Sequence, residues 1–139
     1  MLKLLVLSLL FSYNSFAFYN MHQNIVNNDY KICIIGDTGT GTETQKIMGE
    51  MLAKEDCHQV RILGDVIYPS GLKNEYDLQF FEKFYTPFKP VIEGKNKPLF
   101  HIITGNHDYK QDEYVWTKLH NKFHYLFAPS LNFVETYHQ

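Results

Sequence analysis

Three short stretches of the chain hold side chains that could do chemistry together. Gly36-Asp37-Thr38-Gly39 follows Ile32-Cys33-Ile34-Ile35; Gly64-Asp65-Val66-Ile67-Tyr68 follows the apolar run ending at Leu63; and Gly105-Asn106-His107-Asp108-Tyr109 follows Phe100 to Thr104. Hard cations take oxygen ligands, and ions of intermediate softness add imidazole. Asp37 and Asn106 supply oxygens, and the Asp65 carboxylate has two, so it can bridge two ions. Tyr68, three positions after Asp65, suits a trivalent ion, whose charge overcomes a phenol pKa of about 10. Gly36, Gly64 and Gly105 let the backbone turn sharply and leave room for metal or phosphate. Taken singly, each Gly-Asp reads as a turn and Tyr68 as a packed aromatic with a hydrogen-bonded hydroxyl. Three such stretches, each closing an apolar run, read as one metal site assembled from strand ends.

The intervening segments supply the elements that would position them. Tyr30 to Ile35 reads as a buried strand bounded by Gly. Thr40-Gly41-Thr42-Glu43 has the capping-box spacing, and a helix follows to about Glu55, with Ile47, Met48, Met51 and Leu52 inward. Val60 to Leu63 is the next strand. Strand, helix and strand in so short a span make a βαβ unit with parallel strands, whose C-terminal ends share the edge where ligands bind in open α/β sheets. Asn74 caps a second helix from about Glu75 to Tyr85, with Leu78, Phe81, Phe84 and Tyr85 inward and Pro87 and Pro90 as stops. Phe100 to Thr104 is the third strand. Asp112 to about Asn121 is helical, with Val115, Trp116 and Leu119 on one stripe, and an aromatic, loop-like tail begins at Phe123. The expectation is an α/β fold with a mainly parallel sheet and flanking helices.

A length of 139 residues suits one domain with a real core. With 13 Lys+Arg against 15 Asp+Glu the chain advertises no polyanion-binding surface, so nucleic acid is not an expected partner. Met1 to Ala17 reads as a signal peptide: Lys3 is positive, Leu4 to Phe11 is apolar but too short to span a bilayer, and Ser15-Phe16-Ala17 offers small residues for cleavage. Export, to the outside or the periplasm, follows, without stable membrane association after cleavage. Residues 18–29, Asn-rich and without a clear period, read as an N-terminal arm. Cys33 and Cys57 in an exported protein invite a disulfide. Cys33 suits a strand as a small hydrophobe, however, and the two stand at different offsets from Asp37 and Asp65, so free thiols are expected.

The set Gly36-Asp37-Thr38-Gly39, Gly64-Asp65-Val66-Ile67-Tyr68 and Gly105-Asn106-His107-Asp108 resembles the first three signature blocks of the calcineurin-like metallophosphoesterases. The Tyr three positions after the second Asp resembles the purple acid phosphatase branch, including its small tartrate-resistant type; Val66 departs from that branch, which usually has Asn there. The resemblance runs from about Tyr30 to Tyr109. It implies that Asp37 and Tyr68 bind Fe(III), Asp65 bridges, and Asn106 binds a divalent Fe, Zn or Mn. It further implies that His107 faces the substrate and that Asp108 orients His107. The implied reaction is phosphoester hydrolysis by a metal-activated water, on a phosphorylated small molecule or phosphoprotein.

The family completes its site with a single His after a later strand and then a Gly-His-x-His stretch. His120, His124 and His138 lie after Asn106, but none has either setting. The resemblance therefore implies the βαβαβ half of an α/β/β/α sandwich in residues 30–139, a truncated chain with little turnover. One apolar sheet face would lack its partner layer. The alternative is an exported metal- or phosphate-binding remnant without turnover. A nucleotide-binding reading of Gly39-Thr40-Gly41 lacks both the third Gly of the Rossmann fingerprint and the Lys of a P-loop, and it leaves Tyr68 and Asn106-His107-Asp108 unexplained.

Overall fold

Ile32-Cys33-Ile34-Ile35, Val60-Arg61-Ile62-Leu63 and Phe100-His101-Ile102-Ile103 are rich in β-branched and aromatic residues, which suit a half-buried pleated surface. All three are strands in the computed structural model, which describes residues 5–8, 17–25 and 28–131. In chain order the elements are β1 (Leu5–Ser8), β2 (Ala17–Ile25), β3 (Asn28–Ile35), α1 (Glu43–Lys54), β4 (Gln59–Leu63), a π-helical turn (Phe81–Tyr85) that runs into α2 (Thr86–Ile92), β5 (Leu99–Ile103), a 3-10 turn (Asp108–Lys110), α3 (Val115–His120) and β6 (Leu126–Phe127). The strands form one sheet in sequence order. β3 to β6 are parallel, with Ile35 beside Ile62 and Leu63 beside Ile103, so the ends of β3, β4 and β5 share one edge.

Side chains alternate across a strand. One face presents Cys33, Ile35, Val60, Ile62, Phe100 and Ile102, and the three helices bury it with Met48 and Leu52, Phe84 and Phe88, and Trp116 and Leu119. α1 and α2 approach backbone to backbone: a Cβ on Gly49 would stand 2.0 Å from the Pro87 carbonyl oxygen. The opposite face is open near the rim, where Leu63 and Ile103 are 53% and 47% exposed.

Several expectations need correcting. α1 turns Gln45, Met48, Gly49 and Leu52 inward, while Ile47 is half exposed. Its N-cap is Thr42, and the residue that reaches back is Gln45, which accepts from the Gly41 N–H (2.7 Å); Glu43 instead pairs with Lys46. Asn74 makes a local turn, accepting from Tyr76 N–H, and Asp77 caps the second helix by accepting from Gln79 N–H (3.0 Å). That helix buries Phe80, Phe84 and Phe88 and leaves Leu78 exposed. It also continues through Pro87 and Pro90 to Ile92. Pro87 brings no N–H to the preceding turn, and the Lys83 carbonyl there accepts from the Gln45 side chain instead (2.6 Å).

Residues expected as an arm contribute β2, antiparallel to β3. Its mixed residues show no clean alternation, and pairing rather than pattern makes it a strand. The tail contributes β6 beside β5. The cysteines are bonded, Cys33 to Cys57, with Cα atoms 5.9 Å apart. Their unequal offsets are no obstacle, because Asp56 turns the chain in a left-handed conformation (φ 51) and Cys57 enters the helix-covered core before β4 begins. Of the residues expected to form a cleavage site, Ser15 and Phe16 lie outside the described residues, as does His138.

Candidate metal centre

The loop after β3 and the loop after β4 are stitched together by their backbones. Asp37 N–H donates to Gly64 C=O (3.2 Å) and Tyr68 N–H to Gly39 C=O (2.8 Å). Gly39 permits this contact, since a Cβ there would meet the Val66 carbonyl oxygen at 1.9 Å. Asp37 and Asp65 both adopt the left-handed region (φ 53 and 51), which Asp tolerates better than most residues. Strained conformations of this kind gather at functional sites.

The result is a convergence of three oxygens. The Tyr68 hydroxyl lies 2.6 Å from Asp37 Oδ1 and 2.8 Å from Asp65 Oδ2. One phenol proton cannot serve two carboxylates at once, so the cluster holds more acceptor capacity than donors. Burial, the hydrogen bonds to Asp37 and Asp65, and their charges push the Tyr68 phenol far above its ordinary pKa. A hard cation reverses that balance, because its charge favours the phenolate and offsets both carboxylates. Asp37, Asp65 and Tyr68 therefore fit such an ion by chemistry and placement.

The third loop is tied to the second through Asp65, whose Oδ1 accepts from His107 N–H (3.0 Å). Gly105 leaves space for that carboxylate, since a Cβ would lie 2.3 Å from Asp65 Oδ1. Asn106 sits between these two residues, exposed at the same rim. The His107 ring lies beside the Tyr68 ring, with centroids 4.5 Å apart.

Asp108 turns its carboxylate to backbone donors rather than to the His107 ring. It is buried, and its carboxylate accepts from three backbone donors: Gly105 N–H (2.9 Å), Val66 N–H (3.0 Å) and Ile67 N–H (3.2 Å). It is a clamp that holds the second and third loops at a fixed separation. Burial, aided by the charge on Asp65, outweighs those donors and raises its carboxyl above the usual range. The neighbours of the His107 ring are instead the Pro69 carbonyl oxygen, 2.5 Å from Nδ1, and Lys110 Nζ, 3.0 Å from the same nitrogen. The Tyr68–Pro69 peptide is cis.

Sequence reasoning also missed a brace behind the rim. Lys83 Nζ donates to the Tyr68 carbonyl (2.5 Å) and to Gln79 Oε1 (2.8 Å), and Gln45 joins Lys83 C=O to Gly41 N–H. Gln45, three residues after the N-cap Thr42, was the available signal. Lys110 was marked only by its spacing of three from His107, one turn of helix.

Four other histidines stand elsewhere. His58 Nδ1 accepts from Lys31 N–H at the far end of β4, His120 Nδ1 lies against the Leu126 carbonyl, the His124 ring lies against Tyr125, and His101 is buried against Phe127. Among the described residues no group of three or more His, Cys, Asp or Glu could hold a metal ion, so the donor set rests on Tyr68 and Asn106 as well as the carboxylates.

The parallel sheet delivers Asp37, Asp65 and the Asn106-His107 pair to one edge, the edge where ligands bind in open α/β sheets. The family model of the calcineurin-like phosphoesterases matches residues 30–138, and the chain belongs to that family. Its members typically bind a dinuclear metal centre and act as phosphoesterase-type hydrolases. No curated protein matches the chain.

Proposed function

We propose that the chain hydrolyses phosphoesters in the manner of a purple acid phosphatase. Asp37 and Tyr68 would hold Fe(III), Asp65 would bridge, and Asn106 would hold a divalent Fe, Zn or Mn. The observation that carries this reading is the Tyr68 hydroxyl set between Asp37 and Asp65 at hydrogen-bond distance. When bound, the two ions lower the pKa of a shared water and neutralise charge on the phosphoryl oxygens.

The chain's own residues supply orientation and a proton. The close contact between His107 Nδ1 and the Pro69 carbonyl needs a proton between the two atoms. Nδ1 carries it, and Nε2 is left for the substrate. Protonated there, His107 donates to the leaving oxygen as the ester bond breaks. Asp108 keeps His107 in place indirectly, through the backbone of the loop that carries it. The substrate would be a phosphorylated small molecule or phosphoprotein. Export is supported by the Cys33–Cys57 disulfide, a bond that persists in oxidising compartments.

The test is spectroscopic. The full chain loaded with Fe(III) should show a visible phenolate-to-iron absorption that vanishes in Tyr68→Phe. A band of equal strength in that variant would overturn the ligand assignment. With the few donors at the rim, metal uptake without release of p-nitrophenol from p-nitrophenyl phosphate would favour the alternative, a metal- or phosphate-binding protein without turnover.

A further inference from the structure

Lys83 lies within the π-helical turn Phe81–Tyr85, half-buried behind the rim, and it holds both loops that carry the proposed iron ligands Asp37 and Tyr68. Its ammonium donates to the Tyr68 carbonyl (2.5 Å) and to Gln79 Oε1 (2.8 Å). Its own carbonyl accepts from Gln45 Nε2 (2.6 Å), because Pro87, one turn further on, has no N–H to offer it. Gln45 Oε1 in turn accepts the Gly41 N–H (2.7 Å), in the loop that follows Asp37. The Lys83 stem packs there as well, since a Cβ on Gly41 would stand 3.1 Å from Lys83 Cγ. Among the described residues Lys83 forms no ion pair, whereas Lys31, Lys46, Lys89, Lys118 and Lys122 all do. A lysine loses rotamer freedom when it is ordered, and this one is ordered on a backbone carbonyl instead of a carboxylate.

We propose that Lys83 is the positioning residue that aims Tyr68 as a metal ligand. The proposal rests on the assignment of Tyr68 to Fe(III) and adds the group that holds it there. Groups behind a metal ligand commonly fix its orientation. On its N-terminal side Tyr68 is fixed by the bond from its N–H to Gly39 C=O (2.8 Å). On its C-terminal side the next residue is Pro69, which has no N–H. The carbonyl is therefore the one polar backbone atom of the Tyr68–Pro69 peptide, and Lys83 is its donor among the described residues. With both sides pinned, the phenol leaves the backbone toward Asp37 and Asp65. Without the ammonium the carbonyl can turn toward water, and a rotated peptide plane re-aims the ring. The same lysine reaches the Asp37 loop through Gln45, so it also sets how far that loop stands from Tyr68.

Visible absorption of the full chain loaded with Fe(III) tests this, with iron affinity read by competition with nitrilotriacetate. Lys83→Met keeps the stem against Gly41 and removes the ammonium, and Lys83→Gln leaves a polar tip one bond short of its reach. Both should weaken Fe(III) binding about tenfold, the scale of one lost charge-assisted hydrogen bond, and shift the phenolate-to-iron maximum. Lys83→Arg should restore most of the affinity, since a guanidinium can still donate to the carbonyl. Far-ultraviolet circular dichroism shows which variants fold. A folded variant with a lowered melting temperature but wild-type iron affinity and absorption maximum would overturn the proposal, leaving Lys83 a brace of the fold alone. Failure of both Lys83→Met and Lys83→Gln to fold would overturn it in the same way. A wild-type chain without the band would instead bring down the assignment of Tyr68, and the proposal with it.

Discussion

Asp108 shows how a residue can sit beside a histidine proposed to face the substrate and serve the backbone instead. Its carboxylate is buried and takes donors from Gly105, Val66 and Ile67, so both rim loops depend on it. Replacement by Asn keeps the size but turns one acceptor into a donor and sets it against a buried N–H. Each unsatisfied buried group costs about 1–3 kcal/mol. Asp108→Asn should therefore lower unfolding stability by roughly 2 kcal/mol, read from the midpoint of urea denaturation. A midpoint within error of wild type would show that the clamp contributes nothing. This role was not legible in sequence, because it depends on loops from two strands meeting. The placement of Asp37 and Asp65 was legible, since each follows a Gly at a strand end and parallel strands must bring such ends to one edge, and Tyr68 comes three positions after Asp65 in the same loop. Lys110 escaped notice because nothing in its own neighbourhood distinguishes it from a solvated lysine.

At the scale of elements, the parallel core was readable from short apolar runs, and so was the inner stripe of α3, Val115, Trp116 and Leu119, whereas the faces of the first two helices were read partly out of phase. The second helix shows why. Its aromatic run contains two overlapping stripes, and Phe80, Phe84 and Phe88, spaced i, i+4 and i+8, take the inner face. Asp77 sets where that helix begins, accepting from Gln79 N–H with one oxygen and Lys73 N–H with the other, both at 3.0 Å. Burial alone would raise the Asp77 carboxyl, but those donors win and hold it below the ordinary value of 3.8. A depressed carboxyl stabilises the fold above its unfolded pKa and loses that contribution as pH falls through the folded value. Asp77→Ala should thus cost about 1 kcal/mol at pH 7, the usual worth of an N-cap. The gap between variant and wild type should narrow in denaturation series carried below a pH of about 4. A gap that stays constant into strong acid would mean the carboxylate charge is irrelevant there.

At the scale of the whole molecule, the described residues form one sheet with three helices on one face, and the disulfide binds the first parallel strand to the segment entering the second. Neither was fully legible. The exposed Leu63 and Ile103 lie on the face opposite the helices, where an uncovered layer was expected from family resemblance rather than from any pattern in the residues. The disulfide was hidden because strand register alone sets Cys33 beside Val60, and only the left-handed turn at Asp56 carries Cys57 back over Cys33. That bond closes a loop containing all of α1, with a sequence separation of 24. Loop-closure entropy for a ring of this size corresponds to about 3 kcal/mol. The bond acts on the unfolded chain, so reduction should shift the urea midpoint without changing the fold. The double variant Cys33→Ala/Cys57→Ala should shift it further, because it also removes buried sulfur from the core. In parallel titrations the reduced chain should keep its Fe(III) absorption wherever it remains folded, since Tyr68, Asp37 and Asp65 are held by backbone bonds between their own loops. A reduced chain that stays folded but loses the band would mean the disulfide also positions the proposed metal ligands, through the strand that carries Cys33 and leads into Asp37.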